Sequence, residues 1–297
     1  MFVEDRDAWE AEVVARQGPV VQGWDWGAAK ALAGHPVWRV VLPSGAALQA
    51  VGTRFHGVPV AWAAGGPILR GGQPSEGLGR QLRRLACRLR RPVVLAPHAW
   101  SSLRRAAPVG CPSLPAGTYL PATVMVDLDG GRDAVLARLH RTWRNHYRTG
   151  ARRCSRVELD PSDAGIERVA SLFRAGSGTR APDVDDALLR ALANAFGPRL
   201  SLSVASDESG DVGAAVVLSG SAQALLLGLV TTPEGRGRNG ANLLVFEAMA
   251  AAATEGIRTF DLGGISGVDD GIAHFKLRTN GTVVEHARPF VALPVPW

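Results

Sequence analysis

Two stretches of the chain, 37–96 and 200–262, spell the same order of elements, and that repeat limits the folds open to it. In the first, 37–42, 46–53 and the run from Gly57 read as a three-strand meander, followed by a helix over 75–91 and a buried strand at 93–96. In the second, strands at 200–205, 212–218 and 222–230 precede a helix over 241–255 and a strand at 257–262. Residue identities do not repeat; the order does. With 297 residues, two domains are expected. The first spans 1–122, completed by 283–297, and the second 123–282.

The two long helices differ in pattern. The first has Ser75 as candidate N-cap, with Leu78, Leu82, Leu85 and Leu89 on one side and arginines on the other. The second is apolar almost all round, which predicts burial, and ends at Gly256.

A stretch late in the second repeat carries the most chemistry. Thr259, Phe260 and Leu262 predict a short buried strand stopping at Gly263-Gly264, where paired glycines admit a positive φ or the close approach of a ligand. Gly271 opens a further element that delivers Phe275 and Lys276 side by side. The arrangement suits either an acyl-binding site or a tight turn with a surface lysine. Lys30 and Lys276 are the only lysines among 33 basic side chains. In so arginine-biased a chain, a retained lysine points to a place needing a compact ammonium.

The net charge of +6 is unevenly spread. Eight arginines lie from Arg132 to Arg156, seven of them on what reads as one helix over 132–154, with His140, Trp143, His146 and Tyr147 interleaved. Guanidinia with stackable rings suit an RNA backbone and unpaired bases; the alternative is a solvated helix face.

Other classes lose their signals. No run of eighteen apolar residues suggests a membrane span, and the start, Met1-Phe-Val-Glu-Asp-Arg-Asp, lacks the basic-then-apolar pattern of a signal peptide. Three cysteines without ligand spacing predict neither disulfides nor a metal site, so a cytoplasmic protein is expected. HExxH, CxxC, GxSxG and phosphate-loop motifs are all missing from the sequence.

A meander followed by a helix and a strand is the core of the GNAT acyltransferase fold, so an α+β chain of two tandem GNAT-like domains is expected. More narrowly, the sequence resembles the Fem-type aminoacyl-tRNA-dependent transferases, which build peptidoglycan cross-bridges, and their relatives in antibiotic pathways. The likeness lies in Gln22-x-Trp24 with Lys30, Gly65-Gly66-Pro67, Asp127-Leu128 before the basic helix, and Thr179-Arg180. It is most specific in Asp261-Leu-Gly-Gly-Ile265, Gly271 and Phe275-Lys276. The resemblance implies transfer of an aminoacyl group from charged tRNA to a free amine of a peptide-like acceptor. Phe275 and Lys276 would sit at the reacting ester, with Gly263 and Gly264 beside them. Lys30 and Arg180, with Trp24, would grip the acceptor. Arg141, Arg144, Arg148, Arg152 and Arg153 would meet the tRNA. No cofactor beyond this co-substrate and no metal is implied.

The chain lacks the coiled-coil arm of some family members, has only two tyrosines, and carries Leu225-Leu-Leu-Gly228 where an aromatic-rich strand is expected. These departures favour a small specialised-metabolite acceptor over a peptidoglycan precursor. Asp261 is a candidate base or a loop anchor. The main rival is a GNAT-like acyl-CoA N-acyltransferase, with Glu234-Gly-Arg-Gly-Arg-Asn-Gly-Ala241 as a degraded pyrophosphate loop. A non-catalytic RNA-binding module is the third reading.

Overall fold

The computed structural model describes residues 1–72, 77–97, 108–115, 120–176, 184–265 and 271–294. The chain divides into two compact units, one of Met1–Thr123 with Val284–Trp297, the other of Val124–Val283.

The first unit opens with α1 (Arg6–Ala15), capped by Asp5, whose Oδ1 accepts the Ala8 N–H at 2.8 Å, and α2 (Trp24–Leu32). An antiparallel meander follows: β1 (Val37–Val41), β2 (Ala47–Phe55) and β3 (Val58–Gly65). Helix α3 (Leu78–Leu89) then crosses over, and β4 (Val93–Pro97) returns parallel to β3. The chain's late strand β12 (Phe290–Ala292) completes the order β1-β2-β3-β4-β12. Leu78, Leu82, Leu85 and Ala86 seat α3 on a core that includes Leu48, Leu95 and Phe290. Ser75 lies outside the described residues, and Gly77 stands at the N-cap of α3.

The second sheet has the order β11-β5-β10-β9-β8-β7-β6. After β5 (Ala122–Asp127) come α4 (Gly131–Arg138), α5 (Arg141–Arg153), β6 (Ser155–Leu159), α6 (Asp163–Gly176) and α7 (Asp186–Phe196). The second meander is β7 (Leu200–Asp207), β8 (Gly210–Ser219) and β9 (Gln223–Thr231). It leads through α8 (Pro233–Gly237) and α9 (Gly240–Thr254) to β10 (Thr259–Ile265), α10 (Gly271–Leu277) and β11 (Thr282–Glu285). Strand β10 pairs parallel with β9, so the element order and the parallel return of the first unit recur.

Two expectations need correction. The arginine-rich segment is two helices, because buried Leu139 adopts an extended backbone (φ −62°, ψ 148°) and His140 caps α5 by accepting the Thr142 N–H at 3.2 Å. Arg144 turns back across the break and donates to the carbonyls of Ala137 (2.6 Å) and Leu139 (3.1 Å), satisfying groups left open at the end of α4. Strand β10 does not stop at the glycine pair but runs through it to Ile265.

Candidate active site

The parallel strands of the second unit part company early. Their register holds for Thr259↔Gln223, Phe260↔Ala224 and Asp261↔Leu225, and no further pair between them occurs among the described residues. At the same level β9 carries a bulge: Val216 faces Gly228 while Val217 faces Leu226, leaving Leu227 as the extra residue. The backbone of β10 from Leu262 onward is thereby released from the ladder with β9.

Into this opening comes Lys276. From α10 its Nζ donates to the Gly264 carbonyl at 2.9 Å. Gly263 has φ +77°, and a Cβ built there would lie 3.5 Å from that ammonium and 3.5 Å from the Leu226 carbonyl. A positive φ and a close cation make glycine the fitting residue here. Asp261 is buried and accepts the Gly263 N–H on Oδ1 at 2.8 Å, which anchors the loop. His274 is exposed.

Phe275 does not lie open beside Lys276. Its ring packs on Trp143 of α5, with centroids 5.7 Å apart and planes at 43°. Two further hydrogen bonds tie the same region: the His140 backbone N–H donates to Arg278 O at 3.1 Å, and the Asn280 side-chain Nδ2 donates to Arg138 O at 2.9 Å. Helices α4 and α5 are thus tied to α10 and to the turn that follows it.

Two of the four rings read with the arginines, those of Trp143 and Tyr147, are not available for stacking on bases, whereas His140 is exposed and His146 half-buried. Trp143 and Tyr147 are buried, and Tyr147 packs on Phe246 at 4.2 Å. The spacing Trp143, Tyr147, Gly150, Cys154 follows the i, i+4, i+7, i+11 rhythm of a buried helix face, a signal present in the sequence. Gly150 marks the closest approach to α9: a Cβ there would fall 2.6 Å from the Asn239 carbonyl.

The arginines divide by role. Arg132 grips Glu247 with two bonds (2.8 and 2.7 Å) and donates to the Tyr147 hydroxyl at 2.7 Å, and the tyrosine hydroxyl donates to Glu247 at 2.9 Å. Arg132's hydrogen bond holds the Glu247 carboxyl below the usual range; burial, then Glu247, raises the Tyr147 hydroxyl. Arg138 caps the Asp127 and Asp129 carbonyls, and Arg156 pairs with Glu158. By contrast Arg141, Arg148, Arg152 and Arg153 are exposed and make no hydrogen bond or ion pair with a described residue. The first three lie on one line along the helix.

The other candidates fall in the first unit or outside the described residues. Lys30 sits 4.7 Å over the Trp26 ring, and Arg39 stacks 3.6 Å over Trp24. Burial pushes the Arg39 guanidinium down to about 10. Arg180 and Thr179 lie outside the described residues. Gln22, singled out as a motif residue, is a fully buried staple: its amide donates to Gln49 O (3.0 Å) and Ala64 O (2.6 Å) and accepts the Gln49 N–H (2.7 Å). Gly66 lies directly against that amide, so the Gln22 and Gly65-Gly-Pro67 motifs form one contact.

In the rival CoA loop, Pro233–Gly237 form the short helix α8, and the loop's arginines are engaged: Arg236 donates to Thr231 O at 3.1 Å and Arg238 pairs with Asp207 at 2.6 Å. Among the described residues no His, Cys, Asp or Glu cluster could hold a metal, and no helix is long and apolar enough to cross a membrane.

Residues 135–277 match the family model for an acetyltransferase (GNAT) domain, so the matched segment falls within the second unit. Over the whole chain the structure is similar to the crystal structure of FemX, with TM-score 0.74, 14% identity, and coverage of 98% of this chain and 96% of that one. It is also similar to L-PGS from Bacillus licheniformis (TM-score 0.59, 13% identity, 99% and 93% covered). A tandem GNAT protein from the clavulanic acid biosynthesis pathway aligns with TM-score 0.58, 18% identity and 100% and 99% coverage. No curated protein sequence matches the chain. The fold is an acyltransferase fold of the GNAT type. More closely, it is the tandem arrangement seen in FemX.

Proposed function

We propose that the second unit transfers an aminoacyl group from a charged tRNA to the free amine of a small peptide-like or metabolite acceptor. The observation that carries this reading is Lys276, whose ammonium points at the freed Gly263-Gly264 backbone of β10. The free arginines of α5 stand on a helix locked to the lysine's own element. An aminoacyl ester is already activated, so no covalent nucleophile is required. The acceptor nitrogen attacks the ester carbonyl, a C–N bond forms, and the C–O bond to the ribose breaks with that oxygen taking up the proton the amine releases. Lys276 balances the oxyanion formed between these events, a contribution of about 3 kcal/mol for one well-placed donor. Phe275 and Trp143 hold α10 so that the ammonium is correctly aimed. Asp261 keeps the loop in place, and Arg141, Arg148 and Arg152 meet the tRNA backbone. Lys30, Trp24 and Arg180 remain the acceptor-binding residues of this reading.

The second reading is acyl-CoA-dependent N-acyl transfer, favoured by the match to the acetyltransferase (GNAT) domain. The packing of Arg238 on Asp207 and of Asn239 under Gly150 speaks against a CoA pyrophosphate in that loop. The experiment is transfer of radiolabelled amino acid from a pool of charged tRNAs to small peptide and amino-nucleoside acceptors, with RNase-treated and acyl-CoA arms. RNase-sensitive product is expected. Product formed from acyl-CoA alone overturns the tRNA reading in favour of the second.

A further inference from the structure

From Gly77 to Val126 the sequence contains eight arginines and not one aspartate or glutamate. Six of the eight lie on or directly after α3: Arg80, Arg83, Arg84, Arg88, Arg90 and Arg91. Positions 80, 84 and 88 follow each other at one helical turn, so their side chains line a single ridge about 12 Å long. All three are exposed. Arg80 and Arg84 make no hydrogen bond or ion pair with a described residue, and the exposed Arg88 lays its guanidinium 4.7 Å over the Phe2 ring.

Arginine bias alone does not produce this pattern. On α6 and α7 the exposed arginines are matched by acids: Arg168 with Asp211, Arg174 with Glu167 and Asp186, and Arg190 with Asp163. On α9, which holds the same place in the second unit, the outer side is covered by α5 through the Tyr147–Phe246 and Gly150–Asn239 contacts. The ridge of α3 is left bare of both carboxylates and covering helix among the described residues. Like charges kept this close repel one another unless an anion lies against them.

We propose that the outer face of α3 is a second docking surface for the donor RNA, with Arg80, Arg84 and Arg88 each neutralising a backbone phosphate; the proposal rests on charged tRNA being the donor. A guanidinium meets a phosphate with two parallel N–H bonds, and the ridge offers three such forks in line. A membrane surface fits less well. A helix lying on lipid needs an apolar face to insert, and the apolar residues of α3 are committed to the core of its own unit.

The test is binding of a fluorescently labelled tRNA transcript to the whole protein across a NaCl titration. Wild type is compared with R80Q/R84Q/R88Q, R141Q/R148Q/R152Q and the ion-paired control R174Q. The α3 variant is expected to weaken binding about tenfold or more near 100 mM salt and to flatten the log K against log[NaCl] slope by roughly 2–3, as three lost phosphate contacts should. R174Q should leave both unchanged. If the α3 variant binds as wild type while the α5 variant is weakened, the α3 surface is refuted and the tRNA reading survives. If wild type binds no tRNA, the tRNA reading fails and the proposal falls with it. A parallel arm uses phosphatidylglycerol-containing vesicles: vesicle binding lost in the α3 variant, with tRNA binding intact, overturns the assignment to RNA.

Discussion

In the first unit the parallel pair is zipped from Ala61↔Val93 to Gly65↔Pro97; in the second it holds for three residues and then parts. Each unit sends a polar side chain to the backbone at that place, and the two side chains differ in kind. Gln22 is neutral, wholly buried, and spends its amide on three backbone groups of β2 and β3. Lys276 is charged, only partly buried, and holds the Gly264 carbonyl from a seven-residue helix. A satisfied neutral amide is a staple, whereas an ammonium beside released backbone can exchange its carbonyl for a developing negative charge. One repeat is closed along its parallel pair, and its twin is open at the place where the proposed chemistry would fall.

The sharpest way to break that comparison is to remove both side chains. Lys276→Ala should lower turnover about 10²–10³-fold with little change in the unfolding midpoint, and Lys276→Arg should rescue poorly, because the planar fork does not fit where a compact ammonium did. Gln22→Ala should do the reverse, costing about 2–3 kcal/mol through the stranded backbone groups and leaving kcat of the folded protein near wild type. Urea unfolding beside single-turnover kinetics distinguishes the two. A Gln22 variant that folds normally but loses chemistry would abolish the division of labour.

Next in size is the arginine stripe. On the tRNA reading, R141Q/R148Q/R152Q should raise KM for charged tRNA about tenfold and flatten its salt dependence, with kcat little changed, because that reading has these groups position the donor without touching the ester. A fall in kcat alone would place α5 in the chemistry instead.

The glycines make a smaller pair. Gly65 (φ +71°) ends β3 and Gly263 (φ +77°) lies within β10, each on a strand of its unit's parallel pair, and alanine in that conformation costs about 1–2 kcal/mol. At 65 the new Cβ also meets Pro19 at 2.6 Å, so Gly65→Ala should show only as lost stability. At 263 the nearest atoms are 3.5 Å away and include the Lys276 ammonium, so Gly263→Ala should be the milder lesion in stability and the greater in kcat.

How much of this was legible beforehand varies with the range of the interaction. The repeat of meander, helix and parallel strand follows from local pattern, and the second unit's long helix reads correctly as buried because every side of it is apolar. The separation of β9 from β10 depends on a bulge at Leu227 in a run of three leucines, which carries no local mark. The adjacency of Phe275 to Lys276 is visible in sequence and leaves a pocket role and a core role both open, whereas its contact with Trp143 crosses more than a hundred residues. The break at Leu139-His140 carries no sequence mark, because neither residue is a helix breaker. Tertiary burial of Leu139 and the caps from His140 and Arg144 decide it.

The smallest expected effect concerns acid stability. Helix α9 carries Glu247, held below the usual carboxylate range first by the hydrogen bond from Arg132, whereas α3 at the same place in the first unit has no carboxylate at all. A depressed folded-state pKa contributes stability that is complete above the unfolded value, about pH 4.3, and is lost as the pH falls through the folded one. Protection of α9 amides against hydrogen exchange should therefore decline below about pH 4 by an amount Glu247→Gln abolishes, while α3 protection follows no such step. The substitution keeps the Tyr147 and Arg132 geometry but removes the proton-binding site, so it separates titration from packing. If α9 and α3 lose protection together in acid, and Glu247→Gln changes neither, the Arg132–Glu247–Tyr147 cluster contributes only shape. The two units would then differ only in the opening of their parallel strands.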